Sequence, residues 1–496
     1  MGCPQRSVGR RATEAGLHTL GPVTRQQRLT LVATILGSTV VFLDSTVVNV
    51  ALPAIAGDLD AGLAGQQWVV EAYLLTLVAL LLVGGSLGDR FGRRRMFVAG
   101  LVGFGVTSVL CALAPSVEFL VVARALQGVA GALLVPGSLA IVAATFEGEA
   151  RGRAVGTWTA WTGIATVFGP AGGGALIEAL SWRAIFWINV PLIALTVALT
   201  LRAVEESRDP EAFTGFDWPG VLLSVVGLGG PVFALVEQPN LGWGDPAVWV
   251  SLLVGVVCLG LFLLREARAR QPMLDLGLFR IRNFWVANLT TLAAYGGLIG
   301  GLFFLTLFLQ QVGGYSPLEA GLATTPISVV LFLLSPRFGR FASSVGPRLP
   351  MTAGPILAGL GLLLLLRIDA GAAYLPDVLP GVLVFSLGLA ATVAPLTATV
   401  LDSVEERHVG VASGVNNGIS RVAGLLAIAV LGAVISAKFG ADARGDGSNP
   451  LTASAPEAST SAFHLGIAIA ALLMVAGGIV SWLGIEDRRP SGERSH

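Results

Sequence analysis

Long apolar runs alternate with short polar turns along the whole chain. Runs of bilayer length lie near residues 29–51, 66–87, 96–114, 117–144, 152–178, 184–202 and 217–237. A second set follows near 247–265, 284–311, 319–336, 350–368, 376–400, 410–437 and 464–484. About twenty apolar residues at 1.5 Å rise cross the hydrocarbon of a bilayer, so each run reads as a spanning helix and the chain as about fourteen of them.

The basic residues give a second, independent reading of the same pattern. With the N-terminus placed inside, the outward loops hold just Arg183, Arg367, Lys438 and Arg444, while Arg124 and Arg421 fall within spans. Every other basic residue then lies on the inner side, and missing one span mid-chain would erase that bias. Both termini are therefore expected in the cytoplasm. Residues 1–28 carry arginines without an apolar core, which predicts a solvated tail rather than a cleaved leader. Residues 438–462, rich in Ser, Ala, Gly, Asp and Pro, read as a surface loop whose Arg444-Gly445-Asp446 triplet is a chance match. The inward connection near 265–283, with Arg265, Arg268, Arg270, Arg280 and Arg282, is placed to track anionic lipid.

Composition narrows the chemistry. Hydrophobic residues make up 54% and charged ones 12% of the chain, and mean hydropathy is +0.77, so lipid must surround most of these helices. The net charge is zero, which offers no electrostatic footprint for nucleic acid. Lys438 is followed by Phe439, so no P-loop is present. Cys3, Cys111 and Cys258 lie far apart, as do His18, His408, His464 and His496, giving no metal spacing and no disulfide framework. No nucleophile–base set suggests an enzyme, and no cofactor is expected.

Charged groups inside the spans are the candidates for function. Asp44 interrupts Leu43–Pro53 in the first span; placing such a group mid-membrane costs about 2.5–3.5 kcal/mol, so it needs a partner, water or a proton. Counting along the helices puts Asp44 roughly 22 Å from the inner surface and Arg124 roughly 10 Å from the outer one, similar depths. An Asp44–Arg124 pair then either titrates during transport, since the guanidinium favours the charged acid and hydrocarbon the neutral one, or fixes two helices as a static ion pair. Glu71, at similar depth in the second span, is either a second protonatable site or reaches the headgroups. Arg421 with Asn416 and Asn417 is the main polar intrusion of the second half; these three line a cavity or bond between helices. Trp158, Trp161, Phe168 and Tyr295 are aromatic candidates for a cavity that takes an amphipathic or cationic molecule, and equally candidates for packing.

Three further segments carry a family likeness. The turn Gly85-Ser-Leu-Gly-Asp89-Arg90-Phe-Gly92-Arg93-Arg94-Arg95 joins the second and third spans. Leu120, Arg124, Gln127 and Gly128 mark the fourth span, and Gly169-Pro170 with Gly173-Gly174 mark the fifth, where proline weakens the helix and glycines admit a close neighbour. With Leu43–Pro53, Ser181–Pro191 and Phe216–Gly220, these resemble the major facilitator superfamily, in its fourteen-span drug:proton antiporter branch. Ala165, where that pattern has glycine, is a mild departure.

The resemblance implies an all-α membrane fold of two six-helix bundles, 29–205 and 284–484, with two inserted helices within 206–283 and cytoplasmic tails at 1–28 and 485–496. It implies a multi-pass monomer of a bacterial inner membrane that exports small organic molecules in exchange for protons. Asp44, Arg124 and Glu71 would couple protons. Gly85, Asp89, Arg90, Gly92, Arg93 and Arg94 would form an inner gate. The matching loop of the second half, Pro336–Arg348, lacks the aspartate, which predicts an asymmetric gate. Proton-coupled uptake and a non-transporting receptor stand as alternatives.

Overall fold

The computed structural model describes residues 24–208, 217–269, 276–405, 408–443 and 450–487. Phe216, Arg270, Arg444-Gly445-Asp446, residues 1–23 and residues 488–496 lie outside them.

A chain in hydrocarbon must satisfy its own backbone, and helices do so within each segment. Among the described residues the structure is helical, with no strand. The helices are α1 (Arg25–Leu59), α2 (Leu63–Phe91), α3 (Arg93–Ala112), α4 (Val117–Thr145), α5 (Gly148–Ala179), α6 (Ala184–Trp187) and α7 (Asn189–Ala203). They continue with α8 (Trp218–Leu241), α9 (Pro246–Arg268), α10 (Arg282–Gln311), α11 (Pro317–Val345), α12 (Arg348–Leu364), α13 (Leu379–Asp402), α14 (Val409–Asp442) and α15 (Pro456–Gly484). Thirteen segments, counting α6 and α7 as one, are long and apolar enough to cross a membrane. Helix α5, 32 residues long, has crossing length as well, its apolar character diluted by Thr157, Thr159, Thr162 and a run of glycines.

Two groups of helices pack within themselves. In the first, α4 lies against α2 and α3, and α1 against α5 and α7; in the second, α12 lies against α13 and α15, and α10 against α14 and α15. The hairpin α8–α9 stands beside them, with α8 touching α2 of one group and α14 of the other. Trp68 Nε1 donates to Glu237 Oε1 at 2.7 Å across the α2–α8 contact. Helix α9 leaves Trp249, Leu253, Val257, Leu261 and Leu264 exposed, the face of a helix whose solvent is lipid. Asp217 caps α8 through Gly220 N at 2.8 Å and binds Arg265 of α9, a guanidinium that holds its carboxyl below the usual range.

Small residues let helices approach closely within each group. A Cβ on Gly84 would fall on the carbonyl of Ala132, and one on Gly128 on the carbonyl of Tyr73, so α2 and α4 touch backbone to backbone. Gly296 and Gly300 face Ala427 of α14, while Gly297 and Gly301 face Ala470 of α15, so this glycine face packs.

Candidate functional site

The assembly has two ends: the Gly92 end, where α2 turns into α3, and the Asp58 end, where α1 closes. Between them, five helices bring polar side chains to one enclosed point. Arg124 Nη1 lies 2.5 Å from Asp44 Oδ2, each side chain 1% exposed. Gln127, three residues on and so on the same face of α4, accepts from Arg124 Nη1 at 2.6 Å and donates to Asp44 Oδ1 at 3.1 Å. Asn189 donates to the same Oδ1 at 3.3 Å. It lies where α7 follows α6, with Ile188 between them still in a helical backbone (φ −64°, ψ −25°).

Ser108 of α3 closes the ring. Its Oγ accepts from Gln127 at 3.0 Å and from Asn189 at 3.3 Å. Arg124 Nε donates to the Val69 carbonyl of α2 at 3.1 Å, and its Cζ stands 4.2 Å from the centroid of the Tyr73 ring. Asp44 thus receives three N–H donors. Every one of them matches an ionised carboxylate, which accepts and does not donate. The carbonyl oxygen of Asn189 is the one amide acceptor of this ring left without a partner among the described residues. Gln127 and Asn189 stood in the family-like segments but were not singled out as site residues; the i, i+3 spacing from Arg124 was the available signal for Gln127, and nothing local marked Asn189, Ser108 or Tyr73.

Glu71 is 0% exposed, and neither carboxylate oxygen has a hydrogen-bond partner among the described residues. It sits one turn along α2 from Gln67, inside the protein rather than at the headgroups.

The fifth-span glycines face two ways. Gly169 and Gly173 lie against Thr46 and Val47 of α1, two and three residues past Asp44. A Cβ on Gly174 would fall on the Pro317 carbonyl of α11, and one on Gly321 of α11 on the Pro170 carbonyl. Glutamines join the groups at the same Asp58 end: Gln67 to the Ile428 carbonyl at 2.7 Å, Gln310 to the Val50 carbonyl at 3.1 Å, and Gln311 to Gln66 at 2.9 Å. Ser316 Oγ donates to Glu178 at 3.2 Å. These glutamine ties carry no charge, and the sequence reading passed over them as parts of apolar spans.

At the Gly92 end, Asp89 Oδ1 pairs with Arg93 at 2.7 Å, Arg94 Nη2 donates to the Leu201 carbonyl at 2.9 Å, and Arg94 N donates to Glu206 Oε1 at 3.1 Å. Gly92 has φ +111°, a backbone that glycine favours, and Glu206 fills the place where a Cβ would be. The second half repeats this device: Gly346 has φ +93° with Asp487 in the corresponding place, and Arg348 N donates to Asp487 Oδ1 at 3.0 Å. The two turns therefore share an acid clamp even though the second lacks a counterpart of Asp89. Gly85 faces Pro136 of α4, and Arg90 lies over the Phe91 ring at 5.2 Å.

The aromatic candidates divide. Trp158 is buried, bonded to Ser38 Oγ at 3.2 Å and edge-on to Phe42. Trp161 and Phe168 are exposed, and Tyr295 is half-buried against an apolar cluster at α10. Asn416 bonds Asn288 and Thr291 of α10 at 3.1 and 2.7 Å, while Asn417 accepts from Arg421 Nε at 3.1 Å. No group of three metal-ligating side chains occurs among the described residues.

A family model described as Major Facilitator Superfamily matches residues 34–428. The chain is 38% identical over 416 residues to the multidrug resistance protein Stp of Mycobacterium tuberculosis, covering 84% of this chain and 77% of that one. It is 36% identical over 415 residues to the tetracenomycin C resistance and export protein of Streptomyces glaucescens, covering 83% and 76%. Its fold is similar to the inward-facing, unoccupied structure of a bacterial homolog of the human lysosomal transporter Spinster, with TM-score 0.68, 16% identity, and 93% and 97% of the two chains covered.

Proposed function

This chain belongs to the Major Facilitator Superfamily, and we propose that it exports small amphipathic organic molecules across the bacterial inner membrane in exchange for protons. It is a multi-pass transporter of small molecules rather than an enzyme, as its family and relatives are. The observation that carries proton exchange is the enclosed carboxylate of Asp44, held by three N–H donors on two other helices.

In this reading the Gly92 end is cytoplasmic, as the arginine distribution favours, and the structure stands in an inward-facing state sealed at the Asp58 end. The two bundles, 29–205 and 284–484, rock about the centre as a monomer. With the cavity open outward, Asp44 takes a proton, and Glu71 serves as a second site. Protonation replaces an acceptor by a donor, which loosens the hold of Arg124, Gln127 and Asn189 on α1. Thr46 and Val47, on the next half-turn, press on Gly169 and Gly173, and the adjoining face of α5, at Pro170 and Gly174, carries the seal against α11. The state of Asp44 thereby biases the seal. The turn Gly85–Arg94 closes the inner end in the opposite state.

Energy is sufficient. Each proton entering down about 100 mV supplies roughly 2.3 kcal/mol, and each pH unit about 1.4 kcal/mol more. One proton then sustains a substrate gradient of about one to three decades.

Everted vesicles containing the full chain, energised to an acid lumen and read with a pH-gradient dye, test the direction of coupling. Addition of a compound that the vesicles accumulate collapses part of the gradient if the chain is an antiporter. A gradient left unchanged by every compound that the vesicles accumulate contradicts the proposal.

A further inference from the structure

Arg421 is the charged side chain that the coupling cluster leaves unused. Its guanidinium makes one hydrogen bond among the described residues, from Nε to Asn417 Oδ1 at 3.1 Å, and no carboxylate pairs with it. Arginine stays charged in proteins and carries five N–H donors in a planar fork, so four of the five meet no acceptor among the described residues. Such a group inside a membrane protein is costly unless something else compensates it.

Its surroundings are those of a binding surface. Gly418 and Gly414 lie three and seven residues before it, on the same face of α14, and a Cβ on either would meet nothing within 4 Å. Open space therefore runs along two turns of the helix beside the guanidinium. Across that space, on the other bundle, Cζ of Arg421 stands 5.8 Å from the centroid of the Phe42 ring. Phe42 is braced edge-on by Trp158 at 6.4 Å. Of the two acids buried in the first group, Asp44 is held by Arg124, and the oxygens of Glu71 make no hydrogen bond to Arg421 or to any other described residue.

Resting on the export reading above, we propose that Arg421 is the substrate-charge selector of the open space between α14 and Phe42 of α1. The ligand it fits is a planar aromatic molecule bearing a carboxylate, phenolate or sulfonate, stacked near Phe42 with its anionic edge on the guanidinium. The sequence alone had left an amphipathic or a cationic cargo open; an uncompensated cation in that space disfavours the second. A charge-assisted hydrogen bond of this kind contributes about 1.5–3 kcal/mol, which corresponds to about 10- to 100-fold in affinity.

Two xanthene dyes of opposite charge, fluorescein and rhodamine 123, test this with purified full-length protein in nanodiscs, read by fluorescence anisotropy. Wild type is expected to bind fluorescein at least about tenfold more tightly than rhodamine 123. Arg421→Lys retains the preference in weaker form, Arg421→Gln removes it, and Arg421→Glu reverses it. The Lys variant guards against misfolding as the cause of any loss. Failure of wild type to bind fluorescein, tighter binding of rhodamine 123, or a ratio unmoved in Arg421→Glu overturns the inference. Gradient collapse by either dye in everted vesicles tests the export reading separately, so the two fail in distinguishable ways.

Discussion

Arg124 Nη1 stands 2.5 Å from Asp44 Oδ2 with both side chains 1% exposed. A pair so enclosed contributes little net stability over an apolar equivalent, yet removing one partner leaves the other uncompensated. The two removals are unequal. Asp44 left alone can take up a proton, whereas Arg124 left alone stays charged. Asp44→Leu should therefore destabilise the protein by about 3–5 kcal/mol, and Arg124→Leu by clearly less. Thermal unfolding of both variants in one detergent checks the order; equal losses, or the reverse order, would contradict it.

The depth of this pair was legible in the sequence, because residue counting along two helices placed both groups in one layer. The rest of the cluster was not. Gln127 and Asn189 are amides, whose burial in a helix costs too little to stand out against packing. The glutamine ties at the Asp58 end were hidden for a related reason: Gln66 and Gln67 sit at the start of one apolar run and Gln310 and Gln311 at the close of another, where polar residues are ordinary. The apolar spans, by contrast, were legible from run length: thirteen of the expected fourteen are long and apolar enough to cross a membrane, and α5 has the length with a more polar composition.

Glycines at backbone contacts and glycines beside open space should respond oppositely to one methyl group. Gly84→Ala and Gly128→Ala force α2 from α4 and should lower stability by about 1–3 kcal/mol. Gly414→Ala meets nothing and should be neutral or stabilising by up to about 1 kcal/mol through helix propensity. Thermal-shift measurement in detergent distinguishes them, and a destabilised Gly414→Ala would show that the space beside it is filled.

The α5–α11 seal makes a prediction for conformation rather than stability. Ser316 and Glu178 meet across it at 3.2 Å, so cysteines at these two positions should cross-link readily under mild oxidation. Adding Gly321→Val, whose side chain would enter the Pro170 carbonyl, should cut the yield several-fold by holding the halves apart. An unchanged yield would mean that this glycine contact does not set the closure.

The most direct measurement of the central claim is proton release on ligand binding. Purified protein in weakly buffered solution with a pH indicator is mixed with a bound dye below the pH at which the effect saturates. Wild type should release up to about one proton per chain as substrate replaces the proton on Asp44, by linkage of the two equilibria. Asp44→Asn should bind the dye and release none. Equal release from wild type and Asp44→Asn would place the exchangeable proton elsewhere and remove Asp44 from the coupling mechanism.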